Sequence, residues 1–369
     1  MMCGVQFELF LVILYTKMNR IVDNTFANRL LNARKIRCMS QRELCNVLQG
    51  QVSPTAIEKY EKGLMMPSST VLILLSKALN MKLDYFFRPF TVAIDTSKFE
   101  FRRSSSMGVK KVESVKYLVC AEIEKYLEIE SILGNSTSFS LDYSNVIVEG
   151  ENEAKLLAKR LRDDLKIGSD AIVSAVELLE SCGIKIIEID HDEKFSGTCN
   201  TAGTIPVIVI NKNMPSERKR ITIFHELGHL LMHCAKGVSE EKMCTIFANE
   251  VLIPADRFIS ILGASRHDIS LIELQAIQRE YGISIDALMA KAAQLNIITQ
   301  RRYTSYYKKK NAVSQFKEAV DASHYPMEHT NRFERLVYRA LASEVISFSK
   351  AASLLDVSIN DVRNTLNLM

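Results

Sequence analysis

The sequence predicts a mainly α-helical protein with a small β-sheet, an α+β fold of two or three domains. At 369 residues the chain is long for a single core, since domains average about 150 residues. Residues 24–88 read as short helices separated by caps and turns, and two short runs rich in Ile and Val read as strands at 185–190 and 206–211. We divide the chain into an N-terminal extension (1–23), an all-α helix-turn-helix domain (24–88), a linker with a charged helix (89–149), a domain containing the strands (150–260) and a helical C-terminal region (261–369).

The charge is unevenly distributed along the chain. The net charge is +4, yet residues 1–90 hold 12 Lys and Arg against 6 Asp and Glu, which leaves the remainder slightly acidic. A composition of 47% hydrophobic and 24% charged residues is that of a globular protein and excludes a disordered or collagen-like chain. The basic N-terminal quarter indicates an anionic partner.

The cysteines and the first residues indicate a cytoplasmic protein that is not embedded in a membrane. Eight cysteines are scattered without a Cys-x-x-Cys pair, which favours a reducing compartment over a disulfide framework. The apolar run at 7–15 is about half the length that a bilayer requires, and it lacks the flanks of a signal peptide. Met1 and Met18 both stay open as start sites; a start at Met18 would make residues 1–17 an annotation artefact.

The first domain is punctuated by helix caps. Ser40 and Glu43 have the spacing of a capping box, and Leu44, Val47 and Leu48 fall on one apolar face of the helix that follows. The predicted segments are a helix at 27–37, this second helix, a third helix from a Ser-Pro start to residue 63, a fourth capped by Ser68 or Ser69, and a last turn at 83–88. This order is the helix-turn-helix pattern.

Residues at the start of the second helix and on the third helix are the expected DNA contacts. The third helix of such a domain enters the major groove, and the start of the second meets the backbone. The candidates are Gln41, Ser53, Thr55, Glu58 and Lys59. We expect double-stranded DNA as a partner and a homodimer that reads paired half-sites. A small bundle used for protein contacts is the alternative.

The remaining elements follow in order. Residues 91–104 alternate as an extended segment, and a looser stretch at 135–149 follows a charged helix at 112–133. Two helices at 151–182, the two strands, a helix at 217–233 and a further helix that ends before Pro254 come next. A basic patch with interleaved tyrosines at 301–310 is interpreted either as a solvated helix end or linker, which we favour, or as a nucleic-acid surface.

The sequence His225-Glu226-Leu227-Gly228-His229 contains the candidate metal-binding and catalytic residues. Two histidines four residues apart lie on one helical face, so both imidazoles can reach one Zn²⁺, and Glu226 between them can act as a general base. The alternative, a buried helix with two satisfied histidines, is disfavoured because burying the Glu226 charge there is costly.

A catalytic zinc takes a third protein ligand, which should lie downstream. Glu240, Glu241 and Glu250 are candidates; His233 is a fourth, although it points well away from His225 around the helix. A turn at 235–239 lets the next helix fold back with Glu240 and Glu241 in its first turn, whereas Glu250 lies roughly 13 Å further along. Spacing alone separates Glu240 from Glu241 only weakly.

Residues 221–233 (ITIFHELGHLLMH) and 241–254 (EKMCTIFANEVLIP) resemble the ImmA/IrrE family of zinc metallopeptidases. The resemblance implies a minimal zincin-like domain, one Zn²⁺ per chain and Glu241 as the third ligand. Thr245 stands where that family usually has Asn. Gly197, the run at 206–211 and the arginines Arg218 and Arg220 also match the family's approach to the metal helix.

Residues 24–88 separately resemble the XRE family of DNA-binding domains. Gln41, the tripeptide at 61–63 (EKG) and Pro67 carry the resemblance. The turn between the second and third helices is about two residues longer than is common in this motif.

Together these features predict a DNA-binding transcriptional regulator with a zinc-dependent endopeptidase domain. Zinc would lower the pKa of a bound water toward about 7 and polarise the scissile carbonyl, while Glu226 moves the proton. We expect the strand at 206–211 to offer an edge for the substrate backbone. The resemblance implies cleavage of a specific repressor protein in a stress, phage or mobile-element response. The alternative is a DNA-binding regulator or antitoxin whose peptidase-like domain is a sensing or structural module with little or no proteolysis.

Two further features stay open. Cys234 and Cys244 flank the metal region; ordinary packing is favoured over a redox-sensing thiol. Residues 347–355 (SFSKAASLL) have helical character with turn punctuation and faintly resemble another helix-turn-helix.

Overall fold

The structure is a computed structural model that describes residues 24–90, 108–134, 139, 141, 143, 146–190, 195–202 and 205–367. The predictions made for residues 1–17, for Met18 and for the extended segment at 91–104 lie outside this set. The described residues fall into two compact units, one formed by those up to 134 together with those from 333 onward, the other by those from 139 to 332. The region 261–369, expected as one helical block, is therefore divided between the two units.

The N-terminal bundle consists of short helices that start at the predicted caps. The helices are α1 (Thr25–Ile36), α2 (Gln41–Val47), α3 (Pro54–Glu61) and α4 (Ser69–Leu79), followed by a 3-10 turn (Leu83–Phe87). Ser40 and Glu43 form the complete capping box, and the Ser53 and Ser68 hydroxyls cap α3 and α4. Leu44 and Leu48 are buried as predicted, but Val47 is 49% exposed, so its assignment to the apolar face was wrong.

The charged helix α5 (Val109–Leu133) packs on this bundle and ends at Gly134, whose φ of 64° terminates the helix. The guanidinium of Arg29 in α1 donates to both carboxylate oxygens of Glu124 in α5, at 2.7 and 2.5 Å, and both side chains are buried. Because a buried ion pair tolerates little misalignment, this contact fixes α5 relative to the bundle.

The second unit contains both sheets. Its elements are β1 (Ile147–Val148), α6 (Glu151–Asp164), α7 (Ala175–Ser181), β2 (Lys185–Ile189), β3 (Gly197–Ala202), β4 (Ile205–Asn211), α8 (Ser216–Leu231), β5 (His233–Cys234), α9 (Glu240–Leu252), α10 (Ala255–Leu262), α11 (Leu271–Tyr281), α12 (Ile285–Gln294), α13 (Gln300–Ala312) and α14 (Ser314–Asp321). The prediction of a mainly α fold with small β-sheets is confirmed.

The three-stranded sheet has the order β2-β4-β3, with β2 parallel and β3 antiparallel to β4. Strand β4 covers the predicted run at 206–211, but it is the central strand and both of its edges are paired. The expectation that this run offers a free edge was therefore wrong. Among the described strands, β3 pairs with β4 and forms one edge of this sheet. The sequence did not predict this strand.

The C-terminal helices α15 (Arg332–Ala342), α16 (Phe348–Leu354) and α17 (Ile359–Asn367) return to the first unit. Their apolar side chains form one cluster with Tyr126 and Ile129 of α5. The seven cysteines among the described residues are all free thiols. No helix in the described part of the chain combines the length and apolar character needed to cross a bilayer.

Candidate metal centre and DNA-binding helices

The candidate metal centre lies between α8 and α9. His225, Glu226 and His229 are on α8, and Glu241 is in the first turn of α9. The two helices can approach closely because residue 228 is glycine: a Cβ there would lie 3.2 Å from both Cβ and Sγ of Cys244. The glycine of the motif thus sets the distance at which α9 presents its first turn to the histidines.

Three possible metal-binding groups, two imidazoles and one carboxylate, converge in this space. The Nε2 atoms of His225 and His229 are 3.2 Å apart, His225 Nε2 is 3.2 Å from Oε2 of Glu241, and His229 Nε2 is 3.4 Å from its Oε1. Ligands at the usual 2.0–2.1 Å from a tetrahedral Zn²⁺ are separated by about 3.3–3.4 Å. The spacing of these side chains therefore fits one zinc ion.

The second nitrogen of each ring also has a partner. Nδ1 of His229 lies 3.0 Å from Oε1 of Glu240 and 3.2 Å from Sγ of Cys244, and Nδ1 of His225 lies 3.3 Å from the Thr245 hydroxyl. If Nε2 faces the metal, Nδ1 carries the hydrogen and donates to these groups. Thr245 therefore supplies a hydrogen-bond partner at the position where the resembling family usually has Asn.

The other candidates for the third ligand do not join His225, His229 and Glu241. They are Glu240, Glu250 and His233. Glu240 contacts the far nitrogen of His229; His229, Glu240 and Cys244 also form a second group with metal-ligand spacing. The Glu250 carboxylate receives hydrogen bonds from Lys291 Nζ at 2.9 Å and from the Ala255 backbone N–H at 2.7 Å. Helix α8 ends at Leu231, so His233 lies not on a further turn of that helix but exposed on β5.

Glu226 is buried on α8, at 9% exposure, next to the start of β3. A Cβ at Gly197 would lie 3.5 Å from Cγ of Glu226, 3.0 Å from the Val209 carbonyl and only 2.5 Å from Cγ2 of Thr222. Only glycine fits at residue 197 without displacing a neighbour. The start of β3 and the Glu226 side chain are thus held side by side.

A buried polar network around the start of α8 was not predicted. Arg220, fully buried, donates to Glu328, to the Ile172 carbonyl at 2.7 Å and to the Tyr281 carbonyl at 3.2 Å. The other Glu328 oxygen accepts hydrogen bonds from the backbone N–H groups of Ala175 and Val176, at 3.0 and 3.3 Å.

Residues 323–330 are held against the first turn of α8 by further bonds of this network. Glu217 accepts from the Ser323 hydroxyl at 2.7 Å and from the His324 N–H at 3.1 Å, and Lys219 donates to Glu188 at 2.5 Å. The only signal in the sequence was a run of charged residues at the start of an otherwise apolar helix. The network anchors α8 to the sheet and to the C-terminal end of the second unit.

The predicted DNA contacts lie on or beside α3, and they differ in availability. Thr55 and Lys59 are exposed and one turn apart, whereas the Ser53 hydroxyl accepts the Ala56 N–H as helix cap. Glu58 pairs with Lys62 at 2.6 Å. Gln41 donates to Oε2 of Glu61 at 2.8 Å.

Glu61 also fixes the helix that carries Gln41. Its carboxylate accepts two hydrogen bonds from the buried Arg34, at 2.5 and 2.7 Å, in addition to the one from Gln41. The start of α2 and the end of α3 are thereby locked together through one carboxylate.

The basic patch at 301–310 is largely used within the fold. Tyr306 donates to Asp286 at 2.7 Å, Lys310 contacts Asp286 at 2.5 Å and Asp321 at 2.6 Å, and Arg302 donates to Asp268 at 2.7 Å. The favoured interpretation of a solvated helix end or linker was wrong: residues 301–310 lie within α13, with Tyr306 and Lys310 buried.

Two known families match segments of this chain. Residues 179–292 match the family described as the IrrE N-terminal-like domain, peptidase family M78, and residues 30–86 match the helix-turn-helix family. Two segments of the chain thus match an XRE-type helix-turn-helix family and the M78 peptidase family, in the fused order predicted from the sequence. The M78 match runs from the end of α7 into α12 and so includes His225, His229 and Glu241, and the helix-turn-helix match includes α2 and α3. No curated protein gives a significant match. The two domains together support a regulator with a peptidase-like domain.

Proposed function

We propose that this protein is a DNA-binding transcriptional regulator whose M78 domain is a zinc-dependent endopeptidase that cleaves a specific repressor protein. The observation that carries the proposal is the convergence of His225 Nε2, His229 Nε2 and the Glu241 carboxylate within 3.2–3.4 Å of one another. Histidine nitrogens and a carboxylate oxygen are the donor set of a catalytic zinc site.

His225, His229 and Glu241 would hold one Zn²⁺ per chain. When bound, zinc supplies a Lewis acid that acidifies a water and polarises a carbonyl. Glu226, one residue from a ligand and buried beside β3, accepts the proton of the attacking water and returns it to the departing amine. Glu240 and Thr245 keep the two imidazoles in the orientation that leaves Nε2 free for the metal.

The substrate is an extended segment of a protein. Strand β3 pairs with β4 along one edge, and its first residue, Gly197, lies beside Glu226. A peptide that adds to the other edge of β3 would pass the carboxylate with its backbone held by main-chain hydrogen bonds. This assigns to β3 the role that the sequence analysis gave to the run at 206–211.

The helix-turn-helix domain supplies the second activity. Gln41, Ser53, Thr55, Glu58 and Lys59 are the proposed contacts to double-stranded DNA, with Thr55 and Lys59 the most available. A homodimer would place two α3 helices on paired half-sites. A regulator of this kind with free thiols operates in a reducing cytoplasm.

Incubation of the purified protein with candidate repressors from the neighbouring operon tests the proposal. Wild type with zinc should cleave one candidate at a single site, and Glu226→Gln should leave it intact while binding DNA as tightly as wild type. If neither protein cleaves any candidate while both bind DNA equally, these candidates are not substrates. That result would favour a sensing or structural role for the M78 domain. Light scattering of the protein alone and on DNA tests the dimer.

A further inference from the structure

The three C-terminal helices contain a second candidate DNA-reading element. We propose that α16 and α17 form a helix-turn-helix of their own and that α17 reads double-stranded DNA, a site additional to the helix-turn-helix domain at 30–86. The proposal goes beyond the function proposed above.

The local design of α16 and α17 repeats that of α2 and α3. Ser347 caps α16 through a hydrogen bond from the Lys350 N–H at 3.1 Å, and Ser358 caps α17 through one from the Asp361 N–H, also at 3.1 Å. The turn between them is short and contains Asp356 at φ 58°; the turn between α2 and α3 contains Gln49 at φ 54° and Gly50 at φ 72°. A left-handed residue followed by a serine cap reverses the chain within a few residues in both cases.

The two helices pack against each other through small and apolar side chains. Ala351 and Ala352 are buried on α16, where small side chains let a second helix approach closely. The backbone N–H of Val357 donates to the Ala352 carbonyl at 3.2 Å and draws the half-buried Val357 side chain onto the cluster. From α17, Val362 is fully buried and Leu366 half-buried on the same cluster.

The outward face of α17 has the chemistry of a reading helix. Its exposed side chains include Asn360, Arg363, Asn364 and Thr365. Asn pairs with adenine and Arg with guanine through two hydrogen bonds each in the major groove, and Thr contacts bases or phosphates. Among the side chains of this helix that the structure describes, Ile359, at 40% exposure, is the exposed large apolar one, which is too little apolar surface for a protein-docking groove.

The new element is fixed to the helix-turn-helix domain within the first unit. Nζ of Lys82, at the start of the 3-10 turn, donates to the Val357 carbonyl at 2.5 Å, inside the turn between α16 and α17. Lys125 of α5 donates to the turn residue Asp356 at 2.8 Å, and Lys350 of α16 donates to Glu128 of α5. Two reading helices held in one unit would give each chain a DNA site with two separate segments.

Selection from a random duplex library with the full chain, followed by hydroxyl-radical footprinting, tests the proposal. Wild type should protect two segments. The triple variant Asn360→Ala/Arg363→Ala/Asn364→Ala should lose protection of one segment and bind the selected duplex at least tenfold more weakly. The double variant Thr55→Ala/Lys59→Ala should lose the other segment. Arg301→Ala, an exposed arginine of the second unit, is the charge-matched control and should change affinity less than twofold.

Arg363→Lys separates reading from charge. It keeps the cation but loses the planar fork, so sequence preference should relax while the salt dependence of binding stays that of wild type. Circular dichroism should show the helical content of wild type, since all three altered side chains are exposed. If wild type protects one segment only and the α17 triple variant protects the same segment, this inference is wrong, whereas the function proposed above is unaffected. Unchanged binding by the α3 double variant overturns only the DNA contacts proposed for the first domain. If wild type selects no duplex, or the α17 variant alters the oligomeric state in place of DNA affinity, α17 does not read DNA.

Discussion

Nδ1 of His229 lies 3.0 Å from the carboxylate Oε1 of Glu240, while Nε2 of the same ring faces Glu241. Two consecutive glutamates of α9 thus approach opposite nitrogens of one imidazole. Spacing along the sequence could not assign these two roles, because both residues lie in the first turn of α9 and the choice depends on how that helix is rotated against α8.

Glu240→Gln should weaken zinc binding without abolishing it. Loss of a carboxylate that orients a ligating histidine typically costs 10–100-fold in metal affinity. Competition with a chromophoric chelator measures the dissociation constant. Glu318→Gln, an exposed residue of α14, is the control and should bind zinc like wild type. Equal affinities for the two variants would mean that Glu240 does not orient His229.

Gly197→Ala should destabilise the second unit and reduce peptidase activity. The new methyl would lie 2.5 Å from Thr222 Cγ2, and such overpacking costs about 1–3 kcal/mol in the free energy of unfolding. Thr222→Ser removes that methyl, so the double variant should regain part of the stability, with the Val209 carbonyl at 3.0 Å preventing full recovery. Urea unfolding of the four proteins measures the coupling; a double variant no more stable than Gly197→Ala would contradict the close contact.

The features that depend on local geometry could be predicted from the sequence. His225 and His229 share a helical face in any tertiary fold, and the caps at Ser40 and Ser53 follow from short-range hydrogen bonds. The choice of Glu241 over Glu240 came from family resemblance. The edge strand β3 was missed because its sequence, GTCNTA, has neither the apolar–polar alternation nor the Val, Ile and aromatic residues of a typical strand. Its pairing to β4 is a tertiary effect.

The network around Arg220 depends on contacts more than 100 residues apart in sequence, between α8 and residues 323–330. No local pattern could place Glu328 beside it. The division of the C-terminal region between two units was not predictable for the same reason, because the apolar faces of α15–α17 indicate burial but not which surface buries them.

Glu328→Ala should be strongly destabilising. It leaves the fully buried Arg220 without its carboxylate, and breaking a buried ion pair in this way costs about 3–5 kcal/mol. Replacing both partners, as in Arg220→Met/Glu328→Leu, removes the uncompensated charge and should restore only part of the stability, because backbone groups bonded by the pair lose these partners. Chemical denaturation is the measurement, and a Glu328→Ala protein as stable as wild type would show that the pair is not buried in solution.

Acid should weaken the capping box of α2. Hydrogen bonds from Ser40 and the nearby Lys110 lower the pKa of Glu43 to about 2, below its unfolded value of 4.5. Because the folded pKa is the lower one, the contribution of the ionised carboxylate is fully present above pH 4.5 and is lost as pH falls from there towards about 2. Glu43→Gln keeps the cap but cannot ionise, so the difference in Tm between wild type and this variant should shrink between pH 6 and pH 3. A constant difference would contradict the shift.

Zinc content is the most direct test of the proposed metal centre. Purified wild type and Glu226→Gln should each contain one zinc per chain by mass spectrometry of the metal, because Glu226 is not a proposed ligand. His229→Ala and Glu241→Ala should contain little or none after the same dialysis, with helical content retained. Zinc at the wild-type level in both ligand variants would contradict the assignment of His225, His229 and Glu241 as the metal centre.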